Sequence, residues 1–417
     1  MALGFSLFGG LLLGALVRTG FLTGPLYGDE THFFSSTISL IPSRLGNLDT
    51  LKELSSPSFF IAFSFALQLL GKSIVWCRLL VLLTLFGCAW GYHRTAAEIV
   101  RKSGSPRVSV HITWILLLTF PYFVGSGVYY YTDIPALFFA ILAFGAHEKG
   151  KTGMAILWST LALHCRQYLV FIPLGMTAFA LWQWLRGGGR KSLLLAVAWL
   201  LPMLTFIPYL LFWGGLSPMI RNNPRLAELP LVMPWHVTYL AAACGLYLLP
   251  LAIWLGWRRW SVGKFAWVVT ALLLFSIFPP RSNVFYGLTG SSFPTLGFLD
   301  IALRGLFGAR GETALLAGGM GAAAVLHYEL LVRGRQEDGN SLKWMVAAFW
   351  VMNLFSHLAW EKYLLPVLAL LYFLALRHPE TTRFGCPTRP ESWREAGTAD
   401  STPGAAAKAK VIGSCYQ

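Results

Sequence analysis

Charged residues are scarce in this sequence of 417 residues, in which they make up only 12%. A water-soluble domain carries about 25% charged residues, so this sequence has too few to cover such a domain's surface. Hydrophobic residues reach 56%, and the mean hydropathy is +0.59. These values exclude an ordinary cytosolic protein, a disordered chain, a collagen and a coiled coil. They predict an all-α protein whose solvent is the lipid bilayer.

Metal-binding motifs are missing as well. The six cysteines include no C-x-x-C pair, and the histidines and acids show no H-E-x-x-H pattern, so we expect no disulfide and no metal site. No Walker or G-x-G-x-x-G sequence follows a predicted strand, and we expect no cofactor. The net charge of +15 lies in short basic clusters between apolar runs, which argues against a nucleic-acid partner.

Apolar stretches recur along the first 380 residues. We predict about twelve transmembrane helices in a single domain, 1–380, followed by a disordered cytosolic tail, 381–417. The first stretch lacks a basic n-region and a cleavage site, so we interpret it as a retained span rather than a signal peptide. The predicted spans are 3–22, 74–92, 108–127, 134–147, 153–167, 168–185, 192–212, 236–256, 265–280, 313–332, 344–359 and 363–377.

The positions of Lys and Arg predict the orientation of these spans. If the short run Pro57–Leu70 is an interfacial or re-entrant helix, one side of the membrane receives most of the basic residues, as cytosolic loops do. Both termini are then cytosolic. The lumenal side receives long loops with short interfacial helices, one of them an amphipathic helix at 296–307. These predicted lumenal loops are about 23–73, 213–235 and 281–312.

Two adjacent carboxylates, Asp29 and Glu30, directly follow the first predicted span. One interpretation is structural: they begin an acidic loop or cap the next helix, where Asp favours the first-turn amides. The other is catalytic, because a carboxylate whose pKa is raised by partial burial can accept a proton from a hydroxyl nucleophile. The sequence leaves both interpretations open.

A third acid, Asp133, follows three consecutive tyrosines, 129–131, at the end of a predicted span. The tyrosines fit an interfacial aromatic belt, and Asp133 could cap the next helix. The predicted topology nevertheless puts Asp133 on the same face of the membrane as Asp29 and Glu30. Acids on one face of a membrane can share a substrate.

Two cations belong to the same predicted face. Arg166 lies at the outer end of the fifth predicted span, where an arginine is unfavourable unless it is paired or hydrated. It could snorkel to the interface, or its guanidinium could bind a phosphate anion. Lys362, at the outer start of the last predicted span, offers a second cation.

Together these motifs resemble one group of multispan membrane enzymes. An Asp-Glu loop after the first span and a Tyr-Tyr-Thr-Asp sequence ending the third are typical of GT-C glycosyltransferases, which use lipid-phosphate sugars. Within that group the chain is similar to the endoplasmic-reticulum alpha-1,2-glucosyltransferases that add the last glucose to the lipid-linked oligosaccharide for N-glycosylation. The resemblance runs through Phe120-Pro121, 130–133, Phe138-Phe139, Arg166-Gln167, Glu361-Lys362-Tyr363 and Pro366.

The resemblance implies a reaction and its site residues. A polyprenyl-phosphate sugar, such as dolichyl-phosphate glucose, would donate a hexose to a lipid-linked acceptor glycan, in the endoplasmic-reticulum membrane of a eukaryote or the plasma membrane of a prokaryote. The implied catalytic base is Asp29, followed by Glu30 or Asp133. The residues implied for binding the donor phosphate are Arg166, Gln167, Lys362 and Arg281. Those implied for binding the rest of the substrate are His32, Tyr131 and Tyr363.

Two other classes of protein also fit the sequence. A multispan lipid or solute transporter needs intramembrane charge, but its acids would lie inside spans near the midplane, whereas these cluster at one surface. A structural membrane subunit is the third class, because likeness to a fold does not establish activity. Convergence of Asp29, Asp133 and Arg166 on one lumenal site would favour the enzyme.

Overall fold

The computed structural model shows a helical protein. It describes residues 2–40, 56–103, 108–214, 231–256, 260–281, 297–333, 341–356 and 361–378, and these ranges contain no strand. The all-α class is therefore confirmed for the described residues. The predicted tail, 381–417, lies outside them, as do parts of the three predicted lumenal loops.

The described residues form seventeen α-helices. Their bounds are α1 Ala2–Arg18, α2 Glu30–Ser39, α3 Pro57–Leu70, α4 Ile74–Ser103, α5 Val108–Leu118, α6 Pro121–Val128, α7 Asp133–Glu148, α8 Thr152–Cys165, α9 Phe171–Gln183, α10 Gly189–Leu204, α11 Ile207–Trp213, α12 Pro234–Tyr247, α13 Leu249–Gly256, α14 Val262–Ile277, α15 Phe298–His327, α16 Ser341–Asn353 and α17 Leu364–Leu376. The 3₁₀ turns of these ranges are Phe21–Thr23, Gln167–Val170 and Glu361–Tyr363.

Several of these helices are long and apolar enough to cross a membrane. By length and composition three described stretches qualify, namely α4, Gln167–Trp213 and Ile301–Arg333. The bent pairs α5 with α6 and α12 with α13 raise the number to five if each pair is one span. The described helices thus indicate an integral membrane protein. The count of twelve spans stays a prediction.

Glycine and proline explain where the long stretches break. Gly187 and Gly189 have φ angles of 94° and 65°, a left-handed region that glycine enters without strain. The chain turns there, so that α9 and α10 pack against each other, as the predicted spans 168–185 and 192–212 require. Pro121 begins α6, which is bent by 57° from α5, because a proline disfavours helical geometry in the residue before it.

Both predicted surface segments are helical. Pro57–Leu70 forms α3, which packs against α2, α4 and α8. The predicted helix 296–307 corresponds to the start of α15, and Gly308, with a φ of 66°, separates it from the rest of α15. Leu303 is half-buried there and Leu306 is exposed. The interfacial position of this helix, with its apolar side toward lipid, stays a prediction.

The centre of the bundle is α17. All 13 of its residues are buried, as expected of a helix that is apolar on every side. It packs against α4, α5, α7 and α16. Because the 3₁₀ turn Glu361–Tyr363 directly precedes α17, this central helix determines where that turn lies.

Polar contacts show which helix ends lie together at one end of the bundle. The C-terminal ends of α4, α7 and α17 meet, where Arg377 pairs with Glu148 and the hydroxyl of Ser103 donates to the carbonyl of Leu376. The predicted topology assigns all three ends to one side of the membrane. The first residue of α7 and the turn before α17 therefore lie at the opposite end. Which end faces the cytosol stays a prediction.

A buried ion pair holds the segment that follows α1. Arg78, within α4, donates from Nε and Nη2 to the Glu30 carboxylate at 3.0 and 2.6 Å. The same guanidinium donates to the carbonyls of Phe21 at 2.6 Å and Pro25 at 2.8 Å. Both charged side chains are buried. This pair therefore fixes the path of residues 21–30.

We expect Glu30→Gln to lower the free energy of unfolding by about 3–5 kcal/mol, because it leaves the buried guanidinium of Arg78 without its charged partner. Unfolding in detergent, followed by tryptophan fluorescence, measures this change. Glu98→Gln is the control, since Glu98 pairs with the exposed Arg101 and its substitution should matter little. Equal effects of the two substitutions would contradict the structural role of Glu30.

Candidate functional site

Four charged side chains meet at one end of the bundle. Asp29 precedes α2, Asp133 is the first residue of α7, Arg166 follows α8, and Lys362 lies in the turn before α17. All four are site residues predicted from the sequence on one face of the membrane. Salt-bridge distances join them in the structure. We call these four residues the charged cluster.

Asp133 is at the centre of the charged cluster. Its Oδ2 accepts a 2.8 Å hydrogen bond from Nη2 of Arg166 and lies 3.9 Å from Nζ of Lys362, while its Oδ1 accepts from the Tyr168 hydroxyl at 3.3 Å. Burial raises the pKa of this carboxyl, but the two cations and the hydrogen bonds outweigh burial and hold the pKa below its ordinary value. Asp133 is therefore an ionised partner of the two cations.

Lys362 connects the two acids of the charged cluster. Its Nζ lies 3.7 Å from Oδ2 of Asp29 and 5.4 Å from the ring centre of Tyr131. Burial and the nearby Arg166 lower the pKa of this ammonium group to about 8, although Asp133 and Asp29 act to raise it. Lys362 is consequently cationic at neutral pH and loses its charge in mildly alkaline solution.

Asp29 is the accessible acid of the charged cluster. Its side chain is 39% exposed, whereas that of Asp133 is fully buried. Asp29 occupies the N-cap position of α2 but makes no capping hydrogen bond with its side chain. Capping, the structural interpretation considered from the sequence, therefore does not explain this carboxylate. An exposed carboxylate beside an ammonium group can accept a proton from a molecule that approaches from outside.

Glu30 differs sharply from its neighbour Asp29. Its side chain is fully buried, and besides Arg78 its oxygens accept the backbone N–H groups of Tyr27 at 3.1 Å and Tyr130 at 2.7 Å. The carboxylate thereby ties the loop before α2 to the loop before α7. Glu30 therefore holds together the two loops that carry Asp29 and lead into Asp133. Its role as a base stays a prediction.

Aromatic rings lie against both cations. The ring of Tyr131 faces Lys362, and the ring centre of Phe33 lies 5.7 Å from the guanidinium carbon of Arg166. Such cation–π contacts stabilise cations that have lost part of their hydration. Tyr130 is fully buried, so an interfacial aromatic belt does not describe all three consecutive tyrosines.

The remaining predicted site residues differ in their relation to the cluster. Tyr363 packs against Tyr168, with ring centres 4.6 Å apart, and Gln167 begins the 3₁₀ turn after Arg166. His32 is exposed on α2. Arg281 is exposed too, and no described contact joins its side chain to the cluster. The substrate and phosphate roles of these residues stay predictions.

The sequence interpretation missed two residues that matter to the site. Arg78 lies inside the predicted span 74–92, and a charge within an apolar span is the signal that would have found it. Tyr168 follows Arg166 by two residues, but its contact with Asp133 depends on the intervening 3₁₀ turn. No sequence pattern marks that contact.

Residues 145–152 match the G-x-x-x-x-G-K-T pattern of a phosphate-binding loop. Such a loop follows a strand and wraps phosphates with its backbone N–H groups. Here Gly145 lies inside α7, where a Cβ would come 2.7 Å from the Thr95 hydroxyl, and Gly150 forms the turn to α8 with a φ of 70°. Close helix packing and a tight turn explain both glycines.

Across the described ranges, no group of three or more His, Cys, Asp or Glu side chains could hold a metal ion. No family model, curated protein or solved structure matches the chain. Among the described residues, the charged cluster is the site that brings together residues predicted from the sequence. It consists of one accessible carboxylate, one buried carboxylate and two cations at the end of an apolar helical bundle.

We expect Asp133→Asn to destabilise the protein by about 3 kcal/mol or more, because it breaks the buried ion pair between Asp133 and Arg166. Asp29→Asn should cost less than about 1 kcal/mol, since Asp29 is partly exposed and its ion pair with Lys362 is long. Denaturant unfolding of both variants in the same detergent measures the difference. An equal loss of stability would show that Asp29 is as structural as Asp133.

Proposed function

We propose that this protein is an integral-membrane glycosyltransferase. It moves a hexose, with glucose favoured, from a polyprenyl-phosphate or dolichyl-phosphate sugar to a lipid-linked acceptor glycan. The observation that carries the proposal is the charged cluster, in which an accessible Asp29 adjoins Lys362, and Asp133 lies against both Lys362 and Arg166. The motifs that resemble GT-C enzymes contain these same residues. The proposed location is the endoplasmic-reticulum membrane, with the cluster in the lumen.

Asp29 is the proposed base because it is accessible. A base has to come within hydrogen-bond distance of the proton that it removes. The oxygens of Glu30 are occupied by Arg78 and two backbone N–H groups. Those of Asp133 are occupied by Arg166 and Tyr168. Of the three predicted acids, Asp29 is thus the one that an acceptor hydroxyl reaches without breaking a buried pair.

The proposed reaction is a single displacement. The acceptor hydroxyl oxygen attacks the anomeric carbon of the donor sugar from the side opposite the phosphate, and its proton passes to a carboxylate oxygen of Asp29. The bond between the anomeric carbon and the phosphate oxygen breaks, and its electron pair leaves with the lipid phosphate. The anomeric configuration inverts.

The charges of the cluster suit this displacement. The two cations, Arg166 and Lys362, face the two carboxylates of Asp29 and Asp133. When Asp29 takes up the proton it loses its negative charge, and the departing phosphate gains one at the same time. The ammonium group of Lys362 can then pair with the phosphate instead of with Asp29. Charges positioned in advance for the transition state are a main source of enzymatic rate.

The location of the cluster suits a lipid donor. Asp133 and Arg166 stand at the ends of the apolar helices α7 and α8, and Lys362 precedes the apolar α17. A lipid tail can lie in the bilayer beside such helices while its phosphate and sugar stay at the membrane surface. A secondary transporter would instead bind its substrate near the midplane.

We expect Asp29→Asn to reduce sugar transfer by about 100-fold or more, because general-base catalysis contributes about 10²–10⁴-fold and an amide cannot take up the proton. The assay combines purified full-length protein, dolichyl-phosphate glucose and a lipid-linked oligosaccharide, with mass spectrometry of the product glycan. Glu98→Gln makes the same chemical change at the opposite end of the bundle and should retain activity. Normal transfer by Asp29→Asn would remove the base assignment.

A panel of donors tests the class of function. Transfer from dolichyl-phosphate glucose, without transfer from dolichyl-phosphate mannose or UDP-glucose, is the expected result. Movement of labelled lipid across a vesicle bilayer without a new glycosidic bond would support the transporter instead. Absence of both activities in well-folded protein would favour the structural subunit.

The pKa of Lys362 predicts an alkaline limit to use of the donor. We expect kcat/KM for the donor to fall as the pH rises through about 8, because neutral Lys362 no longer attracts the phosphate and kcat/KM reports ionisations of the free enzyme. Lys362→Arg keeps its charge throughout this range and should remove the decline. Initial rates are measured at varied pH for the wild-type protein and for Lys362→Arg. A decline that persists in Lys362→Arg would show that another group causes it.

A further inference from the structure

Glu361 is a buried carboxylate directly beside the charged cluster in the sequence. Its oxygens accept hydrogen bonds from the hydroxyls of Tyr239 at 2.7 Å and Tyr247 at 2.5 Å, both on α12. They also accept the backbone N–H of Leu299, in the first turn of α15, at 3.0 and 3.1 Å. The side chain has no exposed surface. We call Glu361 and these three donor residues the Glu361 clamp.

The clamp depends on the glycine that precedes α15. A Cβ at Gly297 would lie 1.8 Å from Oε1 of Glu361 and 2.5 Å from the hydroxyl of Tyr239. Both distances are far below van der Waals contact, so any side chain at this position would displace the carboxylate. The arrangement is also favourable in charge, because a carboxylate at a helix N-terminus interacts well with the helix dipole and the first N–H groups.

The turn Glu361–Tyr363 links the clamp to the charged cluster. Three residues complete one turn of a 3₁₀ helix, so consecutive side chains point in different directions. Glu361 points into the clamp, Lys362 reaches Asp29 and Asp133, and Tyr363 packs against Tyr168. The Lys362 side chain is buried, so its stem is packed among neighbouring groups and a shift of the backbone at 361–363 shifts its Nζ relative to the two acids.

We propose that Glu361 is a positioning residue, which holds the 361–363 turn so that Lys362 stays against Asp29 and Asp133 and presents its charge to the donor phosphate. The statement about the donor rests on the proposed function, whereas the statement about the position of Lys362 does not. Loosening the clamp lets Lys362 move away from the acids and into water. Among the described residues, the charged and titratable groups that face Lys362 include Asp29, Tyr131, Asp133 and Arg166.

Gly297→Ala tests the proposal without changing any charge. Full-length protein in lipid nanodiscs is labelled with an amine-reactive reagent at varied pH, and mass spectrometry measures the modification of Lys362. The wild-type midpoint is expected near 8. In the variant the midpoint should rise by about one pH unit or more, toward the ordinary lysine value, because Lys362 gains hydration. Gly305→Ala, within α15, is the matched control, since a Cβ there meets no atom within 4 Å.

Kinetics supplies a second measurement. Gly297→Ala should lower kcat/KM for the lipid-phosphate donor about tenfold and lower kcat as well, because a displaced Lys362 no longer meets the negative charge that the phosphate gains in the transition state. Gly305→Ala should change neither. If the wild-type protein transfers no sugar, the proposed function fails, but the labelling of Lys362 still decides the positioning role.

An unchanged labelling midpoint of Lys362 in well-folded Gly297→Ala would overturn the proposal. Should that variant fail to fold, Tyr247→Phe takes its place, because it removes one hydrogen bond to Glu361 and keeps the ring and every charge of the site. A raised midpoint in Tyr247→Phe supports the positioning role. A wild-type midpoint in Tyr247→Phe contradicts it.

Discussion

A charge inside an apolar helical bundle is tolerated when it meets an opposite charge and hydrogen-bond donors, because isolated ions are poorly solvated there. This constraint organises the site end of the protein. Arg78 pairs with Glu30, and Asp133 pairs with Arg166 and Lys362. Each pair joins segments that are far apart in the chain. The loops between helices therefore take their positions from these buried pairs.

The same constraint separates stability from reactivity. Glu30 and Asp133 are buried, and each pairs with a buried cation from a distant part of the chain. Asp29, adjacent to Glu30 in the chain, extends to the surface and keeps an exposed carboxylate beside Lys362. A protein that both folds around acids and uses an acid for proton transfer benefits from this division, because a carboxylate that holds a buried cation would leave that cation without its charge when it took up a proton.

Support for the site extends beyond the charged residues. The central helix α17 is buried on all sides and begins immediately after the turn that carries Lys362. On the other side of that turn, Glu361 is held by α12 and by the first turn of α15. Lys362 is thus attached to α12, α15 and α17, which lie between residues 234 and 376, whereas the two acids of the cluster come from the first third of the chain. The function proposed here depends on both parts.

Composition and the spacing of apolar residues determined the all-α class, the membrane-spanning character and the helices predicted at Pro57–Leu70 and 296–307, because these properties follow from local sequence. The counting of spans also placed Asp29, Asp133, Arg166 and Lys362 on one face. Tertiary structure alone decided which of two adjacent acids is exposed, that Arg78 binds Glu30, and that Glu361 anchors the turn with Lys362. Exposure, pKa and pairing depend on neighbours from distant parts of the chain, and no local pattern encodes them.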